Sequence, residues 1–284
     1  MADEILLDRD NTESLLKNLV IPPRPVLLEQ LETLKQAGDI APDSLVQLIG
    51  QDLALSAAVL KAANSPLLGQ QRAITSVAQA ISLLGTQSVM HLVNTMVLRS
   101  QFSQPSSPAL EAYWDESGAC ALLVNQLARL VLACPQDSQS FALFRGCGIP
   151  LMLLHFPKYG QTLAMTARTR DNQLCAIEQA LHNTHHAVLG YMLARAWHMP
   201  KNFCRAILEQ YDPDAFEKSS SRLGDEALRM IALARAARHV WRTQTDLEAD
   251  PGWDDVGPAM LAYLQLGAIE FQDWRSAMHD TLLA

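Results

Sequence analysis

The amino-acid sequence predicts an all-α protein with an N-terminal bundle of about five helices, a second helical half and a C-terminal helical extension. Hydrophobic residues make up 49% of the 284 residues but aromatic residues only 6%, so Leu, Ala, Val and Met must fill the core. Apolar residues recur at helical spacing nearly throughout, whereas a sheet would favour β-branched and aromatic residues. Glycine, proline and asparagine punctuate this pattern and divide it into short helices.

The N-terminal bundle is predicted to follow a loose leader at residues 1–15. The first helix spans residues 26–36 and places its leucines on one face. Asp43 and Asp52 can each cap one of the next two helices, because an aspartate accepts hydrogen bonds from the free N–H groups of a first helical turn. Both helices are therefore expected to begin directly after these residues.

The clearest local signal is a capped helix between Ser76 and Gly85. Ser76 and Gln79 stand at the spacing of a capping box, and Gly85 occupies the position where a left-handed helix end favours glycine. The apolar residues between them recur on one face of the helix. Ile81 lies on that face and is expected to be buried.

A polar segment at residues 100–109 is the best candidate for a linker, and residues 212–221 form a second polar break. Between them the apolar pattern predicts helices at residues 110–133, 139–154, 158–169, 173–182, 184–198 and 201–210. The extension past residue 216 is predicted to contain helices at residues 222–244 and 257–283.

Three N-terminal segments carry a family resemblance. They read IPPRPVLLEQLETLKQ from Ile21, LIGQDLALSAAVLKAANSPLL from Leu48, and ITSVAQAISLLG from Ile74. This series resembles the N-terminal half of the HDOD domain, a helical signalling module related to the HD metal-dependent phosphohydrolases. The resemblance covers residues 16–215 and implies an HD-like half that begins at residue 110.

The resemblance assigns Asp52, Asn64 and Ser65 to signature positions of the family. Asp52 is interpreted as a helix cap, and Asn64 as a group that satisfies the last carbonyls or a left-handed end of its helix. The alternative is that these three polar residues line a groove for a partner or a ligand.

The resemblance also implies a degenerate metal site. HD hydrolases carry adjacent His and Asp residues, and the matching residues here are Gly146 and Cys147. An upstream His of such a site would fall near Glu116, and a downstream His pair matches Gln210 and Tyr211. Because Mg, Mn or Fe needs converging imidazole and carboxylate ligands, no metal and no other cofactor is expected.

Two other groups could supply chemistry. Cys147 could act as a nucleophile if a nearby base lowered its pKa, and the other interpretation is a buried structural thiol. His182 and His186 are four residues apart, so on one continuous helix they could bind a metal together with Glu178. The resemblance favours a structural role for His186, since HDOD domains carry a His at this helix start, four residues before a glycine.

Taken together, these patterns predict a non-catalytic bacterial signal-transduction module that binds a signalling protein or a small regulatory ligand. Two alternatives remain: a metal-dependent phosphohydrolase with substituted ligands, and a nucleotide-binding pocket without turnover. The acidic N-terminus is unlike a signal peptide, and five dispersed cysteines are typical of a reducing compartment. A cytoplasmic protein with no membrane contact is expected.

Nucleic acids are not expected to bind this chain. Thirty acidic residues face 22 basic ones, giving a net charge of -8, so few phosphates can be neutralised. We expect no appreciable binding of duplex DNA or RNA at about 150 mM salt in a fluorescence-anisotropy titration. Sub-micromolar affinity would contradict this prediction.

Overall fold

The computed structural model describes residues 20–36, 41–64, 73–102, 107–216, 223–244, 250 and 252–283. Throughout these residues the regular elements are helices, and no strand occurs in them, so the all-α prediction is confirmed. The predicted leader at residues 1–15 lies outside the described residues.

The N-terminal bundle contains five helices among the described residues: α1 Val26–Gln36, α2 Pro42–Gly50, α3 Leu53–Ala63, α4 Val77–Leu84 and α5 Thr86–Ser100. Asp52 caps α3 as predicted, since its side chain accepts hydrogen bonds from the backbone N–H groups of Ala54 at 2.8 Å and Leu55 at 3.1 Å. The predicted cap at Asp43 is wrong. Helix α2 begins at Pro42, two residues earlier than predicted, so Asp43 lies inside its first turn; the fixed φ and missing N–H of Pro42 suit this position.

The capped helix α4 also forms as predicted. Ser76 accepts a hydrogen bond from Gln79 N at 3.2 Å, and Gly85 follows the helix with a φ of 81°, a conformation that costs glycine little. No described helix is by itself long and apolar enough to span a membrane. Helices α4 and α5 pass that test only as a pair, by length and composition, and they are bent by 114° at Gly85.

Asn64 ends α3 and also fastens the segment that leads into α4. Its Nδ2 donates to the carbonyls of Leu60 and Ile74, each at 2.8 Å, and its Oδ1 accepts from Ile74 N at 2.7 Å. Its φ of -96° is not left-handed. Of the two predicted roles of Asn64, the structure therefore supports the one in which its side chain binds the last carbonyls of the helix. Ser65 lies outside the described residues.

The HD-like half contains α6 Pro108–Leu127, α7 Ser138–Phe144, α8 Gly148–His155, α9 Tyr159–Thr166, α10 Asp171–His182, α11 His186–Ala196, α12 Lys201–Glu209 and a 3-10 helix at Pro213–Phe216. The helix predicted at 110–133 ends at Leu127. The helix predicted at 139–154 is two helices separated by a turn at residues 145–147. This turn is the segment that carries Gly146 and Cys147.

Helices α8 and α11 cross at two glycines, Gly148 and Gly190. A Cβ atom built on Gly148 would lie 1.8 Å from the backbone oxygen of His186 and 2.7 Å from Gly190 N. Only glycine therefore fits at residue 148, and this close approach holds the 145–147 turn against the start of α11.

The C-terminal region contains α13 Asp225–Gln244, α14 Trp253–Tyr263 and α15 Ala268–Leu283. Helix α13 packs against α6 and α7 and is buried along most of its length. The single helix predicted at 257–283 is wrong, because the chain breaks after Leu264, where Gln265 adopts a φ of 57°. Although α13 lies beyond the predicted HDOD boundary, it forms part of the core of the HD-like half.

Ile81 is 3% exposed on the inner face of α4, as predicted. We expect Ile81→Ala to lower the free energy of unfolding by about 2–4 kcal/mol, because it removes core methylenes and leaves a cavity. The matched control is Leu83→Ala on the same helix. Because Leu83 is 38% exposed, this substitution should lower the free energy of unfolding by less than Ile81→Ala does. Equal urea midpoints for the two variants would contradict the assignment of the buried face.

Candidate functional site

Two of the positions matched to HD ligands, Glu116 and Gln210, converge on Arg145, a residue in the turn between α7 and α8. Arg145 Nη2 lies 3.3 Å from Glu116 Oε1, and its Nη1 donates to Gln210 Oε1 at 3.3 Å. Gln210 Nε2 in turn donates to Arg145 O at 2.8 Å and to Ile207 O at 2.9 Å. Helix α6, the α7–α8 turn and the end of α12 therefore meet at one guanidinium group.

Helix α13 adds two more arginines to this site. Arg238 Nε lies 2.9 Å from Glu116 Oε1, and its Nη1 lies 2.7 Å from Asp171 Oδ1. Arg235 Nε lies 2.6 Å from the other oxygen of Asp171, and its two Nη atoms bind Asp250 in a bidentate pair at 2.6 and 2.8 Å. The arginine–carboxylate network consists of six residues: Glu116, Arg145, Asp171, Arg235, Arg238 and Asp250.

The three carboxylates of this network are ionised. Burial raises the pKa of Asp171, but Arg238 and Arg235 outweigh it and lower this pKa to about 2. Burial likewise opposes ionisation of Glu116 and Asp250. The guanidinium groups of Arg238 and Arg145 hold the pKa of Glu116 below its usual range, and hydrogen bonds with His239 and Arg235 hold the pKa of Asp250 below its usual range. Each carboxylate is thus compensated by at least one fixed cation.

This charge arrangement opposes a divalent cation at the matched positions. Glu116 Oε1 already contacts two guanidinium groups, those of Arg145 and Arg238. A metal ion that approached this oxygen would face both positive charges in a partly buried, low-dielectric environment, where like charges repel strongly. The residues present at this site do not fit a metal; the guanidinium groups supply the positive charge.

Gly146 and Cys147 lie beside the network without joining it. Cys147 is fully buried, its thiol lies 3.6 Å from Gly190 O, and burial raises the pKa of this thiol well above its usual range. A thiol that stays protonated is a poor nucleophile, so the structure favours the structural interpretation of Cys147.

A second buried polar cluster surrounds Glu178 and His186. Glu178 Oε2 lies 2.7 Å from His186 Nδ1 and accepts from the His186 backbone N–H at 2.9 Å, and its Oε1 accepts from the Tyr159 hydroxyl at 2.6 Å. His186 Nε2 lies 2.9 Å from the hydroxyl of Tyr211. Burial raises the pKa of Glu178, but the contact with His186 outweighs burial and lowers it overall.

The Glu178–His186 cluster provides a chain of hydrogen bonds that satisfies every member. A neutral imidazole with its proton on Nδ1 would donate to Glu178 and accept the Tyr211 proton on Nε2. The thiol of Cys175, a Glu178 carboxylate oxygen and a His186 ring nitrogen also lie within 4.8 Å of one another, which is the spacing of a possible metal site.

The alternative interpretation, in which His182 and His186 share one continuous helix, is wrong, and His186 stands at a helix start, as the favoured structural interpretation expected. Helix α10 ends at His182, Asn183 takes a left-handed φ of 56°, and α11 begins at His186. His182 Nε2 instead lies 2.8 Å from Thr162 Oγ1. The break separates the two imidazoles, and Cys175 replaces His182 as the third group near Glu178.

Sequence reasoning missed five members of the arginine–carboxylate network, namely Arg145, Asp171, Arg235, Arg238 and Asp250. The usable signal lay on α13, where Arg235 and Arg238 stand three residues apart within the otherwise small, apolar run ALARAARHV. Two arginines on a helix that must be buried require carboxylate partners, although the sequence does not say which ones.

The HDOD domain model matches residues 21–213, and this chain belongs to the HDOD family. A solved structure of a Marinobacter aquaeolei protein, whose name proposes a role in signal transduction, superposes with a TM-score of 0.77 at 20% identity over 97% of this chain and 64% of that one. A Shewanella amazonensis protein, whose name proposes phosphohydrolase activity, gives a TM-score of 0.67 at 18% identity over 93% and 94% of the chains.

An uncharacterized protein of Treponema pallidum is 22% identical over 189 residues. That match covers 66% of this chain and 37% of the relative, so the chain spans well under half of the length of this relative. At these identities the likeness to the two solved structures shows a shared fold.

Restoring the His-Asp pair should not create an active site. In the double variant Gly146→His with Cys147→Asp, a Cβ at residue 146 would lie 2.9 Å from Tyr113 Cε2, and the new carboxylate would face Gly190 O without a cation of its own. We expect the free energy of unfolding to fall by about 3 kcal/mol or more from overpacking and unpaired charge, with no gain of Mn- or Mg-dependent hydrolysis of bis-p-nitrophenyl phosphate.

The matched control for this prediction is Gly118→Ala on α6, because nothing lies within 4 Å of a Cβ at residue 118. This substitution should be neutral or stabilising, since alanine favours a helix over glycine. Metal-dependent turnover by the double variant above the level of the wild type would show that further ligands converge on residues 146 and 147.

Proposed function

We propose that this HDOD protein is a non-catalytic regulatory module that binds a protein partner or a small regulatory ligand. One observation carries the non-catalytic part of the proposal. The guanidinium groups of Arg145 and Arg238 contact Glu116, a position that the HD comparison matches to a metal ligand. A site neutralised by its own arginines has no charge left to bind a divalent metal.

The regulatory part is supported by the family and by the paired charges of the core. The network is made of paired, buried charges, which suits a fixed scaffold better than a site that must admit and release a substrate. Proteins of the same fold carry names that propose signal transduction in one case and phosphohydrolase activity in another. The proposal follows the first of these because the ligand positions here hold Gly146, Cys147, Gln210 and Tyr211.

A second candidate is a metal-dependent phosphohydrolase that uses Cys175, Glu178 and His186. Its support is their mutual distance of at most 4.8 Å. Both ring nitrogens of His186 are engaged, however, one by Glu178 and the other by Tyr211. A metal would have to displace one of these hydrogen bonds between the fully buried side chains of Glu178 and His186, so this candidate ranks second.

Metal content and turnover distinguish the two candidates. We expect the full chain, purified without added ions and dialysed, to retain no stoichiometric Fe, Mn or Zn by elemental analysis. We also expect it not to hydrolyse bis-p-nitrophenyl phosphate with Mn or Mg, under conditions in which an HD phosphohydrolase with intact ligands is active. Retention of about one metal per chain that is lost in Glu178→Gln would favour the second candidate.

The binding part of the proposal requires a saturable interaction. A protein captured from extract by the full chain, or a small molecule that raises its melting temperature, should bind the purified chain with a defined stoichiometry in calorimetry. A ligand at 100 times its Kd would stabilise the fold by about 2.7 kcal/mol. Failure of both the captured proteins and the small molecules to bind would contradict a regulatory binding module.

A further inference from the structure

A cavity of about 70 Å³ lies at the junction between the N-terminal bundle and the HD-like half, and we call it the junction cavity. Its walls come from α1 and α5 on one side and from α7 and the connection between α11 and α12 on the other. Trp197 on that connection joins the two halves, since its Nε1 donates to Pro22 O at 2.9 Å. The volume is several times the roughly 10–15 Å³ that one ordered water needs, so the cavity has room for a small organic group.

Three side chains of the junction cavity each carry a buried nitrogen atom that has no hydrogen-bond partner in the described part of the chain. These atoms are Arg24 Nε, His91 Nδ1 and Gln139 Nε2. They come from the segment before α1, from α5 and from α7, and His91 is only 4% exposed. Because about nine-tenths or more of buried polar groups in proteins are hydrogen-bonded, three unpaired nitrogens on one cavity indicate a polar occupant.

The three nitrogens form a pattern of two donors and one acceptor. Arg24 Nε and Gln139 Nε2 can only donate. Burial lowers the pKa of His91 to about 4, so its ring is neutral near pH 7 and carries one proton. The Thr95 hydroxyl donates to His91 O at 2.9 Å, so its oxygen is left to accept from His91 Nε2, which lies 3.5 Å away. The ring proton is thus on Nε2, and His91 Nδ1 is an acceptor.

The other lining residues favour a neutral occupant with an apolar body. Glu32 and Asp137 also line the cavity; each is engaged in another interaction, so neither is counted as a partner for the three nitrogens, but their negative charges oppose an anion. Leu28, Phe144 and Trp197 provide buried apolar surface. Apolar walls with a few polar atoms that fix orientation are typical of small-molecule sites.

We propose that the junction cavity binds a small neutral molecule through an amide group, whose oxygen accepts hydrogen bonds from Arg24 and Gln139 and whose N–H donates to His91. An amide supplies both functions, whereas a carboxylate has no proton to donate. This inference names a ligand class for the regulatory function proposed above and rests on that function.

The position of the junction cavity suits a regulatory ligand. Its walls belong to both halves of the domain, so an occupant that pairs with α5 and α7 together would strengthen the packing of one half against the other. The cavity shares no residue with the arginine–carboxylate network or the Glu178–His186 cluster. Its occupancy is therefore measured independently of metal content and turnover.

The test is a ligand-observed NMR titration of the full chain with three amides of increasing size: acetamide, benzamide and nicotinamide. Their counterparts are acetate, benzoate and nicotinate, in which a carboxylate of nearly the same shape replaces the amide. We expect saturable binding of at least one amide and a Kd about tenfold or more higher for its carboxylate counterpart, which loses a donor and faces two acidic residues. The size series shows how large a body the cavity accepts.

Gln139→Met is the decisive variant, because it removes the donor and keeps the length of the side chain. We expect the Kd for the amide to rise about tenfold or more. The melting temperature without ligand should stay equal to that of the wild type or rise, since an unpaired buried amide is replaced by an apolar group of similar shape. A fall in melting temperature with an unchanged Kd would instead show a purely structural role for Gln139.

Two further variants complete the set. His91→Phe keeps an aromatic ring but removes the acceptor, and it should also raise the Kd for the amide. The matched control is Gln161→Met on α9, which makes the same chemical change at an exposed residue outside the cavity and should leave the Kd unchanged.

Several results would overturn the inference. They are a lack of saturable binding by all three amides, which would assign the three nitrogens to ordered water, an unchanged Kd in Gln139→Met, and an equal loss in Gln161→Met. Carboxylates that bind as tightly as the amides would show an anion site and remove the amide assignment. A captured protein partner without amide binding would remove this inference and leave the regulatory function standing. Amide binding by a chain that also shows metal-dependent hydrolysis would contradict the non-catalytic function and leave the cavity assignment intact.

Discussion

The burial of two arginines on α13 is the constraint on which the rest of the HD-like half depends. Arg235 and Arg238 enter a core where an unpaired charge would be very costly, so carboxylates must converge on them. These carboxylates lie in separate parts of the chain. Glu116 is on α6, Asp171 is the first residue of α10, and Asp250 lies shortly before α14. Moving any one of these elements would leave a charge without its partner.

The same constraint explains why a C-terminal helix belongs to the core of this half. Without α13, the network would lose Arg235 and Arg238, and Arg145 would be the one cation left for Glu116 and Asp171. Losing a partner of a buried ion pair typically costs about 3–5 kcal/mol. The ionised carboxylates of Glu116 and Asp171 therefore tie the region beyond residue 213, where the family match ends, to helices that the match includes.

Local signals account for what the sequence could predict. The cap at Asp52, the capped helix after Ser76 and the buried face with Ile81 each depend on residues within one or two helical turns, and all three are present. The breaks at residues 145–147 and at Gln265 were missed because apolar residues continue on both sides of them, although Gly146 and Gly148 at the first break and Gly267 after the second are local signals for one.

The candidate site was predictable only in part, for a related reason. The resemblance drew attention to Glu116 and Gln210, and the structure brings both into contact with Arg145. Their other partners lie far away in sequence, as Arg238 does from Glu116, and no local pattern encodes such a pair. A buried arginine signals that a carboxylate is needed, but the fold decides which carboxylate meets it.

Helix α12 is tied to the arginine–carboxylate network at its end. Gln210, which follows its nine residues, donates to Arg145 O and accepts from Arg145 Nη1. Because Arg145 Nη2 also lies 3.3 Å from Glu116 Oε1, a displacement of the end of α12 would disturb the contact between the α7–α8 turn and α6. The guanidinium that opposes a metal at Glu116 therefore also couples the position of α12 to that of α6.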